Sequence, residues 1–277
     1  MAPNPKICVG RRTKRSLGVA FSIGLLAGTG CAGPPIANTN SVVIFLDGAG
    51  WSGSHRRVQE GLRAAGYRGH VESFAWSSLL GPGPDHLLVA RKKRKARRLA
   101  QRITEYRQRK PNGELHLMGL SAGSAVVVFA LEQLPANVTV DNVVLFSPSI
   151  SAKHDLSVAM AHVNGHLYAT SSPYDKLLAG VFANADGVAG RPAGLHGLRV
   201  PSRVKRYDLY TRVVNLPWRP AYADLGWKGS HTGVTRPAFV QQVIAPRILS
   251  NGPRPLDRPM APDWISTLNR STTSAVN

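Results

Sequence analysis

The stretch Leu115-His116-Leu117-Met118-Gly119-Leu120-Ser121-Ala122-Gly123-Ser124-Ala125 decides the fold. Its apolar first half predicts a short strand that ends in G-x-S-x-G, and the apolar segment 126–131 predicts a buried helix directly after it. A serine held on a tight turn between strand and helix projects its hydroxyl above the sheet, provided that its neighbours are small. Gly119 and Gly123 meet that requirement, so Ser121 is a candidate nucleophile. Because glycine and serine are common residues, the motif counts only in a fitting structural context.

Predicted strands and helices alternate on both sides of this stretch. Residues 41–46 form a continuous β-branched and aromatic run, which is typical of a strand buried on both faces of a parallel sheet. Further strands are predicted over 71–76, 138–146, 163–170 and 204–210, and helices over 54–65, 87–110, 155–162 and 237–245. The alternation predicts an α/β fold, with a mostly parallel central sheet and helices on both of its faces.

Length and composition favour a single globular domain with appendages. The 277 residues are 43% hydrophobic, which is enough for a sizeable core and excludes the disordered and fibrous classes. Lysine and arginine number 35 against 15 acidic residues, for a formal net charge of +20. Such an imbalance favours anionic partners without choosing among them.

Residues 1–31 have the pattern of an export signal. A basic segment over 1–15 precedes an uncharged run over 16–30, which is too short to span a bilayer. Small residues before Cys31 resemble a bacterial lipoprotein processing site, although Gly28 stands where that pattern has a leucine-like residue. We expect an exported protein that is periplasmic or membrane-anchored through Cys31, with ordinary cleavage nearby as the alternative. The remaining divisions predicted are a tether, an α/β domain and a flexible C-terminal tail, over 32–40, 41–249 and 250–277.

The segment Arg91–Lys110 is the most basic part of the chain. It contains eleven lysine or arginine residues and one acid, Glu105, while Leu88, Leu99 and Ile103 with Tyr106 give a broken apolar stripe. One interpretation is a solvated outer helix with a single buried stripe. The other is a helix that docks on an anionic membrane or polymer surface. Nucleic acid is disfavoured as a partner, because the sequence has no recognisable nucleic-acid reading motif.

Two further residues complete a candidate catalytic set with Ser121. Nucleophilic catalysis by serine needs a base, an acid that orients the base, and amides that hold the oxyanion. These groups meet at the carboxyl ends of parallel strands. Asp175 stands five residues beyond the predicted strand that ends at Thr170, and His231 lies in a glycine-flanked loop before the last helix. The acids that compete with Asp175 for this role are Asp186, Asp208 and Asp224.

The order Ser, Asp, His and the G-x-S-x-G stretch resemble the α/β-hydrolases over about residues 41–249. The chain is similar to bacterial esterase/lipase-like members of unknown substrate, in which a Phe-x-Trp-x-Ser stretch, here 74–78, precedes a helix and the serine turn. The resemblance implies that Ser121 is the nucleophile, that His231 is the general base and acid, and that Asp175 fixes the imidazole tautomer.

The resemblance also implies an oxyanion hole made by two backbone amides. The first is the amide of Ala122, and the second is that of Ala49 in the loop after the first strand. Many relatives have His-Gly in this loop, where this chain has Asp47-Gly48. The Asp47 carboxylate would repel a developing oxyanion unless its side chain turns away to cap amides of the loop.

The function expected from these features is that of a serine hydrolase that cleaves small-molecule or lipid carboxylic esters through an acyl-enzyme. No cofactor and no metal are expected, because the sequence lacks Cys/His clusters at ligand spacing, H-E-x-x-H and G-x-x-x-x-G-K-[ST]. The alternative is a non-catalytic hydrolase-fold protein that docks on anionic surfaces through its basic helix. Residues 180–200 form a segment long enough to shape or cover a pocket.

Overall fold

The computed structural model describes residues 38–50, 53–78, 81–180, 183–204 and 206–249. The predicted export signal with Cys31, most of the predicted tether and the predicted C-terminal tail lie outside these residues and stay predictions. Within the described ranges, none of the helices combines the length and the apolar character needed to cross a membrane.

A single sheet of six parallel strands forms the centre of the fold, in the order β2-β1-β3-β4-β5-β6. The predicted α/β class with a mostly parallel sheet is confirmed. Because the strand order reverses beside β1, the carboxyl ends of β1 and β3 border the crevice in which such sheets bind ligands. The strands are β1 (Asn38–Leu46), β2 (Gly69–Ser73), β3 (Glu114–Leu120), β4 (Asn142–Phe146), β5 (Leu167–Ser171) and β6 (Val213–Pro217).

Helices cover both faces of the sheet. The long ones follow β1, β2 and β3, and a composite helix closes the domain, in which a π-helical turn, Val240–Ile244, joins two α-helical pieces. The α-helices are α1 (Ser54–Ala64), α2 (Pro82–Leu87), α3 (Val89–Arg109), α4 (Gly123–Leu131), α5 (Ser157–Ala161), α6 (Lys176–Ala179), α7 (Ala193–His196), α8 (Tyr207–Tyr210), α9 (Pro237–Phe239) and α10 (Ala245–Leu249).

Strand β1 shows how the two cores form. Alternate side chains of a strand point to opposite faces, and every residue from Val42 to Leu46 is buried. Ile44 packs in the core made with α3, α4 and α5, whereas Phe45 packs in the core made with α1 and the C-terminal helices. The apolar run 41–46 is therefore a consequence of helices on both faces, as the sequence predicted.

Four predicted strands differ from the structure in their bounds. Strands β4 and β5 each begin four residues after the predicted start, at Asn142 and Leu167. Strand β1 starts at Asn38, three residues before the predicted start, and β2 ends at Ser73 rather than at Trp76. The Trp76 side chain is buried, and its indole donates a hydrogen bond to a backbone carbonyl of the loop after β1.

The strand predicted over 204–210 is wrong. Residues Tyr207–Tyr210 form the helical turn α8, and the last strand of the sheet begins at Val213. The turn is held by Tyr210, whose buried hydroxyl accepts a hydrogen bond from the Leu156 amide at 2.8 Å. The more apolar run that starts at Val213 pairs with β5 instead.

Helix α1 and the C-terminal helix approach closely at Gly61. A Cβ atom built on Gly61 would lie 2.6 Å from the Cβ of Val240 and 2.6 Å from the carbonyl oxygen of Pro237. Real Cβ atoms do not come this close to other atoms, so the contact requires glycine. The packing of one sheet face therefore depends on this position.

We expect Gly61→Ala to lower the free energy of unfolding by about 1–3 kcal/mol, because overpacking separates the two helices. This loss outweighs the gain of about 1 kcal/mol in helix propensity when alanine replaces glycine. Urea unfolding of the variant and of the natural protein measures the net change in the free energy of unfolding. Gly83→Ala in α2 is the matched control, since a Cβ there meets nothing within 4 Å. Equal stability of the two variants would contradict the packing argument.

Candidate active site

Ser121 lies on the strained turn between β3 and α4. Its φ angle is +54°, a left-handed conformation that costs a non-glycine residue about 1–3 kcal/mol. The turn is fixed by the Ser121 amide, which donates a hydrogen bond to the carbonyl of Phe146 at 2.9 Å. Strand, turn and helix thus occur where the sequence predicted them. Among the described residues, Ser147 at φ +40° is the other non-glycine residue with a positive φ.

The two glycines of the motif are required by close backbone contacts. A Cβ on Gly119 would lie 2.9 Å from the Ser124 nitrogen, and a Cβ on Gly123 would lie 2.5 Å from the Asp47 carbonyl oxygen and 2.8 Å from that of Leu46. These neighbours are backbone atoms and cannot rotate away. The two glycines of the motif are therefore needed for the close packing of β3, α4 and the loop after β1.

Asp175 and His231 form a hydrogen-bonded pair beyond the carboxyl ends of β5 and β6. The distance between Asp175 Oδ2 and His231 Nδ1 is 2.7 Å, and the Asp175 side chain is fully buried. Its other oxygen, Oδ1, accepts a hydrogen bond from the Leu178 amide at 3.1 Å and caps α6. Because both carboxylate oxygens are engaged, the acid holds a fixed orientation toward the imidazole. A proton on Nδ1 leaves Nε2 as a free base.

The loop that carries His231 is held by two tryptophans and a glycine. The Trp227 indole donates to the Ser230 carbonyl at 3.1 Å, and the Trp218 indole donates to the Trp227 carbonyl at 2.8 Å. Gly229 has φ +86°, and a Cβ there would come within 2.9 Å of Tyr174, next to Asp175. Neither tryptophan was predicted to hold this loop, and the only signal for them was that two of the five tryptophans stand near the glycine-flanked histidine.

Ser121 stands at the same edge of the sheet as this pair. Among the described residues, no hydrogen bond links the Ser121 hydroxyl to His231. Catalytic hydrogen bonds are often long in enzymes without substrate and tighten when substrate binds. The structure thus joins Asp175 to His231 directly, whereas Ser121 shares only the edge with them.

The Asp47 side chain turns into its own loop. Its two carboxylate oxygens accept hydrogen bonds from the amides of Gly48 and Ser54, each at 2.9 Å. The buried Trp76 indole donates to the Asp47 carbonyl at 2.7 Å and fixes the same peptide from the other side. This is the arrangement in which the carboxylate caps loop amides.

The two predicted oxyanion donors belong to segments next to Ser121. The Ala122 amide lies at the start of α4, and the loop that leads to Ala49 passes beside Ser121, since a Cβ on Gly48 would be 3.5 Å from the Ser121 Cβ. Among the described residues, neither the Ala122 nor the Ala49 amide donates a hydrogen bond. The Ala122 amide therefore lies next to the serine, and the loop that carries Ala49 passes beside it, while the pairing of the two amides as an oxyanion hole stays a prediction.

The three competing acids have other surroundings. Asp208 is exposed and pairs with Arg206 at 2.7 Å, and Asp224 is exposed. Asp186 is buried, but it accepts a hydrogen bond from His154 Nδ1 at 2.8 Å. Of the four candidates, Asp175 is the one in contact with His231.

His154 lies in a second buried cluster of charged groups. Its Nε2 contacts Glu132 at 2.8 Å, so each ring nitrogen faces a carboxylate. Burial by itself would lower the pKa of His154, but the hydrogen bonds to Asp186 and Glu132 outweigh burial and raise this pKa to about 9. Lys92 of α3 is buried nearby, and burial lowers its pKa to about 8 against the opposing charges of Asp85 and Asp186.

The segment 183–200 borders the loop that follows β4. The Ala185 amide donates to the Ser149 carbonyl at 2.8 Å, and the Gly194 amide donates to the Pro148 carbonyl at 2.7 Å. The segment therefore shapes the edge of the sheet beside the serine turn. Over the described ranges, no group of three or more His, Cys, Asp or Glu side chains is placed to hold a metal ion.

A family model described as alpha/beta hydrolase matches residues 51–181. No curated protein sequence matches the chain. Among solved structures, the chain is similar to a cutinase-like protein from Cryptococcus sp., with 16% identity over 79% of this chain and 98% of that one and a TM-score of 0.40. A dienelactone hydrolase from Anabaena variabilis gives 20% identity over 79% and 90% of the two chains, with a TM-score of 0.43.

The cluster around His154 predicts a pH-dependent stability. A pKa raised from 6.5 to about 9 in the folded state means that protonated His154 stabilises the fold fully below pH 6.5, and that this stabilisation is lost as pH rises through 9. Lys92 has the opposite effect on the free energy of unfolding, which it makes rise with pH, but only above its folded-state pKa of about 8. We therefore expect the free energy of unfolding to fall by about 1–2 kcal/mol between pH 6.5 and 8.

Urea unfolding across this pH range measures the effect. His154→Gln should be less stable than the natural protein at pH 6.5 and should flatten the slope. His70→Gln, which changes an exposed histidine, should keep the slope of the natural protein. An unchanged slope in His154→Gln would show that the cluster does not bind the extra proton.

Proposed function

We propose that this chain, which is a member of the α/β-hydrolase superfamily, is a serine hydrolase that cleaves carboxylic esters through an acyl-enzyme. The observation that carries the proposal is the 2.7 Å hydrogen bond between Asp175 and His231, at the sheet edge where Ser121 lies on its strained turn. A serine turn alone would be compatible with a purely structural role. A buried carboxylate that orients an imidazole at the same edge supplies the base that the serine needs.

In the proposed reaction, Ser121 Oγ attacks the carbonyl carbon of the ester while His231 Nε2 takes the hydroxyl proton. Asp175 keeps the proton of Nδ1 in place and stabilises the imidazolium that forms. The amides of Ala122 and Ala49 donate to the oxyanion of the tetrahedral intermediate. Its collapse breaks the bond to the alcohol oxygen, which leaves with the proton held on Nε2.

The acyl-enzyme is then hydrolysed by water through the same groups. His231 Nε2 takes a proton from water, whose oxygen attacks the acyl carbon, and the two amides again hold the oxyanion. The second tetrahedral intermediate breaks its bond to Ser121 Oγ, which regains its proton from His231. The carboxylic acid is released, and the enzyme returns to its starting state.

The engagement of Asp47 supports this assignment of the oxyanion hole. A carboxylate directed at the oxyanion would oppose the charge that develops there. Here both Asp47 oxygens are occupied by the amides of Gly48 and Ser54. The Asp47 carboxylate is therefore held within the loop after β1, and the Ala49 amide of the same loop is the proposed donor to the substrate.

The alternative of a non-catalytic hydrolase-fold protein accounts for fewer of these features. A strained serine and a buried carboxylate beside a histidine both cost stability, and a catalytic role gives a reason for that cost. The same acyl-transfer chemistry would serve amides and thioesters. A series of p-nitrophenyl esters of graded acyl length, set beside matched amides and thioesters, measures which carbonyl substrates and chain lengths are preferred.

The first test is covalent labelling of the proposed nucleophile. A fluorophosphonate should label the natural protein, and Ser121→Ala should abolish labelling and lower ester turnover at least about 10³-fold. Ser157→Ala, at the start of α5, should label normally. A folded natural protein that is not labelled at pH 7–8, or labelling that persists in Ser121→Ala, would refute the proposal.

The second test concerns the orienting acid. Asp175→Asn should lower kcat by about 10²–10⁴-fold, because an amide favours the wrong imidazole tautomer while the helix cap can be kept by the remaining oxygen. Asp208→Asn is the matched control and should leave kcat unchanged, since that carboxylate contacts Arg206 on the surface. Equal kcat values in the two variants would remove Asp175 from the mechanism.

A further inference from the structure

Exposed apolar side chains are concentrated around the carboxyl edge of the sheet. Among the described residues, seven large hydrophobic side chains are exposed, and five of them lie in segments that follow the carboxyl ends of β2 and β5. Their exposed fractions run from 38% to 59%. We call these five residues the apolar rim: Leu87, Leu88, Tyr174, Leu177 and Val188.

The rim borders the candidate active site on two sides. Tyr174 and Leu177 flank Asp175 in sequence. On the other side, the segment with Leu87 and Leu88 contacts the segment with Val188, because the His86 Nε2 atom lies 2.7 Å from the Ala183 carbonyl oxygen.

The leucine side of the rim also adjoins the loop after β1. Pro82 at the start of α2 lies 3.2 Å from the position that a Cβ on Gly50 would take. Gly50 is the neighbour of Ala49, the proposed second oxyanion donor. The exposed leucines are therefore connected to the catalytic edge through a short, packed segment.

The basic helix α3 begins directly after these leucines. Farther along the helix, Arg102 pairs with Glu72 and Arg107 pairs with Asp141. In its first half, the exposed side chains of Arg94, Arg97 and Arg98 have no carboxylate partner within 4.0 Å in the part of the chain that the structure describes. We call these three residues the arginine face.

Positive charge is crowded in this half of α3. Burial lowers the pKa of Lys95, and the charges of Arg98 and Arg91 lower it further. An anionic partner would relieve this repulsion. The combination of unpaired guanidinium groups with exposed leucines fits a lipid surface, since headgroup phosphates accept from arginine and the adjacent interface accepts apolar side chains.

We propose that the protein docks on anionic lipid bilayers through the arginine face and the apolar rim, with the carboxyl edge of the sheet toward the membrane. The arginines bind headgroup phosphates, and Leu87 and Leu88 enter the interface beside them. The docking itself does not depend on chemistry at Ser121. The orientation deepens the proposed function and rests on it, because it makes esters held in a lipid surface the substrates presented to Ser121.

Co-sedimentation of the full chain with vesicles tests the docking. Binding to mixed phosphatidylglycerol and phosphatidylcholine vesicles should exceed binding to pure phosphatidylcholine and should weaken steeply as salt rises. Arg94→Glu/Arg97→Glu/Arg98→Glu should weaken binding to the anionic vesicles by at least about 100-fold, from roughly fivefold per arginine. Equal binding to both vesicle types, or insensitivity to salt, would overturn the proposal.

A matched triple variant tests whether vesicle binding depends on the arginine face or only on the net charge of the protein. Arg68→Glu/Arg109→Glu/Lys110→Glu changes the charge equally, but at exposed positions near the amino ends of β2 and β3. It should weaken binding by less than about tenfold, because these charges lie away from the docked surface. Equal losses in the two triple variants would leave only general charge attraction and overturn the proposed face.

The leucines distinguish a lipid surface from other polyanions. Leu87→Ser/Leu88→Ser leaves the charge unchanged and should weaken vesicle binding about tenfold or more while leaving retention on heparin or duplex DNA unchanged. Unchanged vesicle binding in this variant, together with tight DNA binding, would assign the arginine face to nucleic acid or another polyanion and overturn the lipid proposal.

Two measurements distinguish a failure of the docking proposal from a failure of the proposed function. Ser121→Ala should bind anionic vesicles as the natural protein does, whatever its esterase activity. The arginine triple variant should hydrolyse soluble p-nitrophenyl acetate at the natural rate, yet lose at least about tenfold in rate on an ester dispersed in anionic vesicles. A loss of the soluble activity, or no loss on the vesicle-bound ester, would overturn the proposed orientation.

Discussion

The structure depends on one steric constraint, the close approach of the Gly123 backbone to the carbonyl oxygens of Leu46 and Asp47. The contact brings the start of α4 against the end of β1, next to the strand that leads into the serine turn. It is permitted only because Gly123 lacks a side chain. The strain at Ser121, the position of the Ala122 amide and the path of the loop to Ala49 all follow from it. The sheet order, with β1 beside β3, provides the frame in which the contact can form.

Two histidines next to carboxylates show how similar residues acquire different chemistry. His154 has both ring nitrogens engaged by acids, which raises its pKa and leaves no lone pair free to accept a proton. His231 has one nitrogen engaged by Asp175. No acid contacts its other nitrogen among the described residues, and the side chain is 10% exposed. The number of carboxylates around the imidazole therefore separates a structural cation from a candidate base.

The sequence predicted the parts of this architecture that are set locally. The strand, the serine turn and the helix after it are encoded by neighbouring residues, so that their type and order were correct. Asp175 and His231 were identified by their positions after predicted strands, and the structure joins them. The α8 turn was mistaken for a strand because Tyr210 is held by Leu156, 54 residues earlier in the chain. Likewise, no local pattern predicts the hydrogen bond between Trp76 and Asp47, which are 29 residues apart, or the tryptophans that hold the histidine loop.

Helix α3 carries cations at its amino end as well as along the rest of its length. A helix has a partial positive charge at its amino terminus, where acidic residues are normally favourable. The first turn of α3 has no acid, and Arg91 and Lys92 follow immediately, with Asp85 of the preceding helix as the nearby compensating carboxylate. The backbone dipole and the side-chain charges thus add at the end of the helix nearest the leucines. The folded state stores electrostatic repulsion there, so the stability of the whole domain is linked to the anions in its surroundings.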